Sequence, residues 1–395
     1  MKLRNLLFFC GGLLLFLSSC VKDEAPNMEA DIIKAETEND VFLLDPVVSG
    51  GSVIFYLKPD QEETSEFKVK FTLTEGAQIQ VENGKVLDND ELRVDKELAK
   101  RMQLEGVNVE TISQDKQYSK KYLLKIVNTK DGFVPTEYGF EETEIDNNQK
   151  FTKFYNNVDG QKYYNWASGN AGFGITLSIT PGGVMEPAAY PTTITPDAHA
   201  GKQALFLETK LTGMYGAMFG KPIAAGNLFI GSFDTGPVLM DPLAATQFGL
   251  PFNKVPVTLE GYYKYRPAEN VTDKDLKPLN LKDSCDIYAV FYNRKQLMES
   301  VSDPKKRVPY LTGHNILTDP SIVAIAKIKD GSATAGDGFV KFSLPFEYRA
   351  KVDMAAVAGL DYNIAIVMSS SKRGDSFVGA VGSKLIVDDL KIVTK

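Results

Sequence analysis

From Ile32 onward the chain consists of short apolar runs separated by polar turns, and the clearest run alternates residue by residue. Phe67, Val69, Phe71 and Leu73 interleave with Lys68, Lys70 and Thr72. A period of two sends successive side chains to opposite faces, so this segment predicts a strand with one buried face. Residues 41–44 and 53–57 are apolar runs of strand length, and Asn83-Gly84 is a hairpin turn pair. Between 118 and 127, Tyr122, Leu124 and Ile126 alternate with Lys121, Leu123 and Lys125. Strands at this spacing predict a small immunoglobulin-like β-sandwich over residues 31–130. Residues 94–103 carry a thin apolar face, enough for one helical turn or two.

Residues 128–135 hold a Lys-Asp-Gly turn and Pro135 and mark a boundary. Beyond it the chain is richer in Gly, Pro and aromatics, and strands are predicted at 203–209, 257–265, 286–292, 322–328, 340–344, 362–368 and 384–393. Helical periodicity is confined to 281–285 and 352–358. Gly172, Gly174, Gly182 and Gly183 lack the lysine pattern of a phosphate loop and read as turns. The fold class expected is all-β, with a second, larger sandwich over 134–395.

The beginning of the chain changes the setting. Lys2 and Arg4 precede an apolar run from 6 to 17, too short for a membrane span and of signal-peptide length. Leu17-Ser18-Ser19-Cys20 resembles a bacterial lipobox, which implies cleavage before Cys20 and a lipid on its sulfur, with 21–30 as a tether. Val21-Lys22-Asp23-Glu24 resembles the export signal that sends Bacteroidetes lipoproteins to the outer face of the outer membrane. About 375 residues then remain, enough for two or three domains. The formal net charge of −7, with no basic stripe, argues against nucleic acid. Of three cysteines, Cys10 leaves with the leader, Cys20 is the lipid acceptor, and Cys285 stays as a buried thiol with no disulfide partner. Only two histidines exist, His199 and His314, and both read as structural or solvated loop residues.

Tyr138-Gly139-Phe140-Glu141, Asn165-Trp166-Ala167-Ser168-Gly169-Asn170, His199-Ala200-Gly201-Lys202-Gln203-Ala204-Leu205 and Leu385-Ile386-Val387-Asp388-Asp389-Leu390-Lys391-Ile392 follow one another along the second part of the chain. Together they resemble the "GFE", tryptophan, "HSGxxAL" and closing "DDV" strands of carbohydrate-binding modules. Lys221-Pro222-Ile223, Gly249-Leu250-Pro251-Phe252, Leu259-Glu260-Gly261-Tyr262-Tyr263-Lys264-Tyr265, Asp283-Ser284-Cys285-Asp286-Ile287-Tyr288 and Thr312-Gly313-His314 resemble the carbohydrate metabolism domain of Bacteroidetes lipoproteins. The resemblance covers 134–395 and implies a jelly roll. It also implies that Asp388 and Glu141 would hold a structural Ca²⁺, with backbone carbonyls near Gly201 completing the six to eight oxygens calcium favours. Asp388 and Asp389 alternate faces, so a regular strand cannot point both inward.

The chain has 17 Tyr and 23 Phe but one Trp, Trp166, which reads as core. Flat rings stack on the apolar faces of sugars and keep a polar tip for hydrogen bonds. Tyr262 shares the polar face of its strand with Lys264 and Arg266, while Tyr288 and Tyr292 share a face with Val290. Tyr262, Tyr288, Tyr292 and Arg266 are therefore the candidate ligand residues. No nucleophile elbow, zinc motif or dinucleotide fingerprint is present, and no carboxylate is marked as a catalytic acid. The reading is a surface lipoprotein that binds glycan through its C-terminal jelly roll, accessory to a polysaccharide-uptake system and its other surface proteins. The alternatives are an adhesin that binds protein partners and a glycoside hydrolase.

Overall fold

The computed structural model describes residues 27–395 except 39, 50, 59–60, 62–65, 130–133, 159–160 and 304–305. The leader, Cys20 and positions 21–26 of the tether lie outside the described residues.

The first sandwich faces a three-stranded sheet against a five-stranded one. Ile32–Thr37, Phe67–Leu73 and Glu91–Val94 form the former, all antiparallel. The alternation read in Phe67–Leu73 is the alternation observed: Phe67, Val69 and Phe71 are buried and Lys68, Lys70 and Thr72 exposed. The larger sheet runs Val47–Ser49, Ser52–Tyr56, Ser119–Val127, Val107–Ile112, Gln78–Val81, and its Ser52–Tyr56 and Ser119–Val127 strands are parallel. Phe42, Phe55 and Phe67 meet at ring distances of 5.0–5.8 Å in the core between the sheets. The 94–103 segment forms a helix, Lys96–Leu104, capped where Asp95 accepts from Leu98 N at 2.8 Å.

The second sandwich pairs two larger sheets. One has Trp166–Ala167, Asn227–Phe233, Tyr362–Ser369, Asp286–Asn293, Ile322–Lys327 and Glu347–Tyr348 in that order, with two short strands alongside. The other has Thr192–Thr195, Ala204–Glu208, Lys384–Thr394, Pro256–Arg266 and Val340–Pro345, with Glu137–Tyr138 beside Lys384–Thr394. Leu259, Tyr263, Tyr265 and Val387 from one sheet pack on Ile287, Phe291, Ile364 and Met368 from the other. Trp166 is in this core, edge-on to Tyr138 at 4.9 Å. The fold is all-β.

Three local readings are corrected. Gly172 and Gly174 lie in a helix, Asn170–Ile179, rather than in turns. A side chain at Gly172 would meet Val238 and Phe233, and one at Gly174 would meet Gln149, so these glycines serve close approach and obscure the helical signal. Residues 281–285 have no regular secondary structure, and the 352–358 helix is present as Met354–Ala358. Asp388 and Asp389 do reach the same loop, because the closing strand is irregular. Its register against Pro256–Arg266 slips between Glu260 and Tyr262, and Asp389 there adopts φ 47°. The extra residue of this bulge turns both carboxylates toward His199.

The sandwiches are packed against one another. Ile54, Tyr56 and Val127 of the first join the same apolar cluster as the core of the second.

Candidate functional site

The predicted ligand residues divide. Tyr288 and Tyr292 are enclosed, because the eight-stranded sheet is covered on both faces. On its second face a further core gathers Phe229, Phe248, Leu297, Leu311 and Ile316 around them. A strand apolar on both sides needs two covers, and Leu297, Leu311 and Ile316 belong to the second. Their assignment to an open groove is corrected on this ground. Tyr262 and Arg266 stay on the outer face of the six-stranded sheet, away from both enclosed tyrosines. Tyr262 stacks on His199 with centroids 3.6 Å apart and 13° between planes, and Phe339 closes the His199 edge at 5.8 Å. Arg266 donates to Thr334 O and Thr334 Oγ1, both at 2.9 Å, and reaches Asp337 at 3.4 Å.

Glu141 and Asp388 do come together at the 199–203 loop, but not as a metal site would require. Asp388 Oδ2 accepts from His199 N at 2.7 Å and Ala200 N at 3.1 Å, and its Oδ1 accepts from Asp389 N at 2.8 Å. Glu141 Oε1 accepts from Lys202 N at 2.8 Å and lies directly under Gly201, where a Cβ would be 1.9 Å from it. Burial raises the Asp388 pKa against the pull of these N–H groups. Calcium wants oxygens around it, whereas these carboxylates are ringed by positive N–H dipoles. No group of three or more His, Cys, Asp or Glu among the described residues could hold a metal ion. The donor set does not fit the calcium expectation; the pair anchors the loop instead.

The space for a ligand lies elsewhere, in a cleft of about 290 Å³ between the two sandwiches. That is near the lower end of the ~300–1,000 Å³ usual for ligand pockets. The first sandwich contributes Asp31, whose carboxylate takes hydrogen bonds from Lys120 Nζ and, at 2.9 Å, from the Tyr122 hydroxyl. The second contributes Asp234, Tyr310 and Asn363. Asp234 accepts one hydrogen bond, from Gly236 N at 2.9 Å, in a turn just after the Asn227–Phe233 strand, and no described residue donates to its other oxygen. Burial, then the charge of Asp31, raises the Asp234 pKa, while the Gly236 N–H works against them. Burial and the neighbouring Asp234 push the Tyr310 hydroxyl up to about 12, so it stays protonated at neutral pH.

Asn363 is 1% exposed and stands at the cleft wall. Its Nδ2 donates to the Tyr292 hydroxyl at 2.8 Å and to Pro309 O at 2.9 Å, with Gly249 O at 3.4 Å. Those acceptors fix which end of the amide is nitrogen and leave Oδ1 without a partner. Tyr292 thus stands behind the cleft as a positioning group, its own hydroxyl donating to Phe248 O at 2.8 Å. Gly249 is required there: its φ is +100°, and a Cβ would come within 2.5 Å of that hydroxyl. No motif in the sequence marks this constellation, whose one local sign is the Asp234-Thr235-Gly236-Pro237 turn.

A carboxylate, an amide oxygen without a donor and a half-exposed ring thus line one cleft on an all-β scaffold. Residues 139–393 match the family described as "Putative carbohydrate metabolism domain", and the chain belongs to that family. It is also similar to two proteins of known structure, each described as a "putative glycoside hydrolase". The one from Bacteroides thetaiotaomicron is 34% identical, with a TM-score of 0.76 over 95% of this chain and 99% of its own. The one from Bacteroides vulgatus is 37% identical, with a TM-score of 0.58 over 66% of this chain and 98% of its own. No curated protein matches the chain.

Proposed function

We propose that the protein binds a glycan in the cleft between its sandwiches, with most contacts supplied by the C-terminal one. The observation that carries this reading is the buried, unpartnered Oδ1 of Asn363 at the cleft wall. A buried acceptor without a donor is costly, by about 1–3 kcal/mol, and a small shift of the cleft wall would let a ligand hydroxyl supply the missing hydrogen bond. Tyr310 and Phe233 offer apolar ring faces to sugar C–H groups, and Asp234 offers a second acceptor. Calorimetric titration of the full chain with a broad panel of oligosaccharides tests the reading. Binding that Tyr310→Ala weakens supports it; a folded protein that binds nothing on the panel sinks it.

The lipobox-like Leu17-Ser18-Ser19-Cys20 and the Lys-Asp-Glu after it support an outer-membrane lipoprotein facing the exterior and serving polysaccharide uptake. Incorporation of an acyl-chain probe into the wild type but not into Cys20→Ala would bear this out, and equal labelling would overturn it. A second reading, glycoside hydrolysis, has one observation in its favour: Asp31 and Asp234 come from different sandwiches to one cleft. Release of reducing ends, lost in both Asp31→Asn and Asp234→Asn, would promote it.

A further inference from the structure

We infer that the cleft selects an uncharged, hydroxyl-rich saccharide, held by Asp234 and Asn363 as hydrogen-bond acceptors, and excludes acidic sugars. The inference rests on the glycan-binding reading and adds the class of glycan.

The cleft holds acceptors that lack donors. Asn363 Oδ1 has no donor, and Asp234 has a single donor, the Gly236 N–H, for two oxygens. An ionised carboxylate and an amide oxygen only accept, so the matching ligand group is one that donates. Every free sugar hydroxyl does so. A carboxylate or sulfate on a sugar brings acceptors and no donor, and would leave both unmet positions as they are.

Charge points the same way. Asp31, Asp45, Asp146 and Asp234 line the cleft against Lys34, Lys120 and Arg307. Two of the three cations are already engaged: Lys120 with Asp31, and Lys34 with Glu36 at 2.5 Å. Arg307 is exposed, and its Nε donates to Val301 O at 2.9 Å. Asp146 and Asp234 have no cation partner among the described residues; Asp146 is met by the N–H groups of Asn148 and Gln149, whereas Asp234 is on the same wall as Asn363 with one N–H alone. An anionic sugar seated there would be placed against a like charge in a partly desolvated site, and such juxtapositions are how sites reject wrong ligands. Tyr310 completes the selection. Its neutral phenol gives the sugar ring a face and brings no cation that would welcome an anion.

The test is a pair of calorimetric titrations on the full chain. One uses neutral gluco-, xylo-, manno- and galacto-oligosaccharides, the other an oligogalacturonate of matched length. The expected result is binding of at least one neutral ligand, at least tenfold weaker in Asp234→Ala, with no heat from the oligogalacturonate. Circular dichroism and the melting temperature confirm that the variant is folded. Oligogalacturonate binding as tightly as the best neutral ligand overturns the inference, and so does an Asp234→Ala affinity equal to wild type. Where oligogalacturonate binds and Tyr310→Ala abolishes it, the cleft stands as a glycan site and only the charge class falls. Silence from both classes overturns the glycan-binding reading and this inference together.

Discussion

The 199–203 loop and the interdomain cleft are built from the same chemistry, acidic side chains beside aromatic rings, yet they differ in how far the protein satisfies them. At the loop, Asp388 takes three backbone N–H groups, Glu141 takes Lys202 N, and the His199 ring lies flat on Tyr262. In the cleft, Asp234 takes one and Asn363 Oδ1 takes none. Buried polar groups in folded proteins are almost always paired, so groups left short are the ones to examine for a ligand. Acidic residues by themselves do not distinguish the two places; the missing donors do.

The largest expected effect lies on the saturated side. Asp388→Ala would strand three N–H groups in a fully buried position. The loss is expected at about 3 kcal/mol, lowering the melting temperature by roughly 10 °C in a domain of this size. A melting temperature unchanged in that variant would erase the contrast drawn above. Next comes a paired measurement of ligand affinity. Tyr310→Ala is expected to weaken saccharide binding about tenfold, near 1.4 kcal/mol, while Tyr262→Ala leaves it unchanged. The reverse pattern would move the site to the outer sheet face.

A smaller effect concerns Asp234 and pH. Its carboxyl holds a proton more tightly in the folded chain than in the unfolded one, because burial opposes its charge. The ionised form therefore detracts from stability above the folded pKa, and the penalty vanishes as pH falls below the unfolded value of 3.8. Asp234→Asn should melt slightly higher than wild type at neutral pH and coincide with it in acid, by differential scanning fluorimetry across pH. A variant that melts lower at neutral pH would show that the carboxylate is stabilised by something other than its single N–H. The smallest expected effect is none: chelation with EDTA should leave the melting temperature where it was, and a clear drop would restore calcium at Glu141 and Asp388.

Much of the scaffold was legible in the sequence, because strands with one wet face announce themselves by alternation, as in Phe67–Leu73 and Pro256–Arg266. Asp286–Asn293 was legible as a strand, but its alternation has no polar side, so nothing in it revealed that Tyr288 and Tyr292 would both be covered. The pairing of Glu141 with the 199–203 loop followed from family resemblance; its chemistry did not, since backbone N–H groups are invisible to motif reading. The bulge at Asp389 hid for a related reason: one residue at positive φ cancels the face rule that strand periodicity supplies. The cleft was out of reach altogether. Asp31, Asp234, Tyr310 and Asn363 come from four distant stretches, and the unmet valence of Asn363 depends on Tyr292 and Pro309 occupying its other end.

The apolar cluster that runs from Ile54, Tyr56 and Val127 into Leu205, Phe252 and Ile364 also bears on how the chain comes apart. Because this apolar core runs from one sandwich into the other alongside the polar cleft, heat should melt them in one cooperative step, seen as a single calorimetric peak. A fragment cut near residue 134 would bare part of this apolar surface and is expected to aggregate more readily than the full chain.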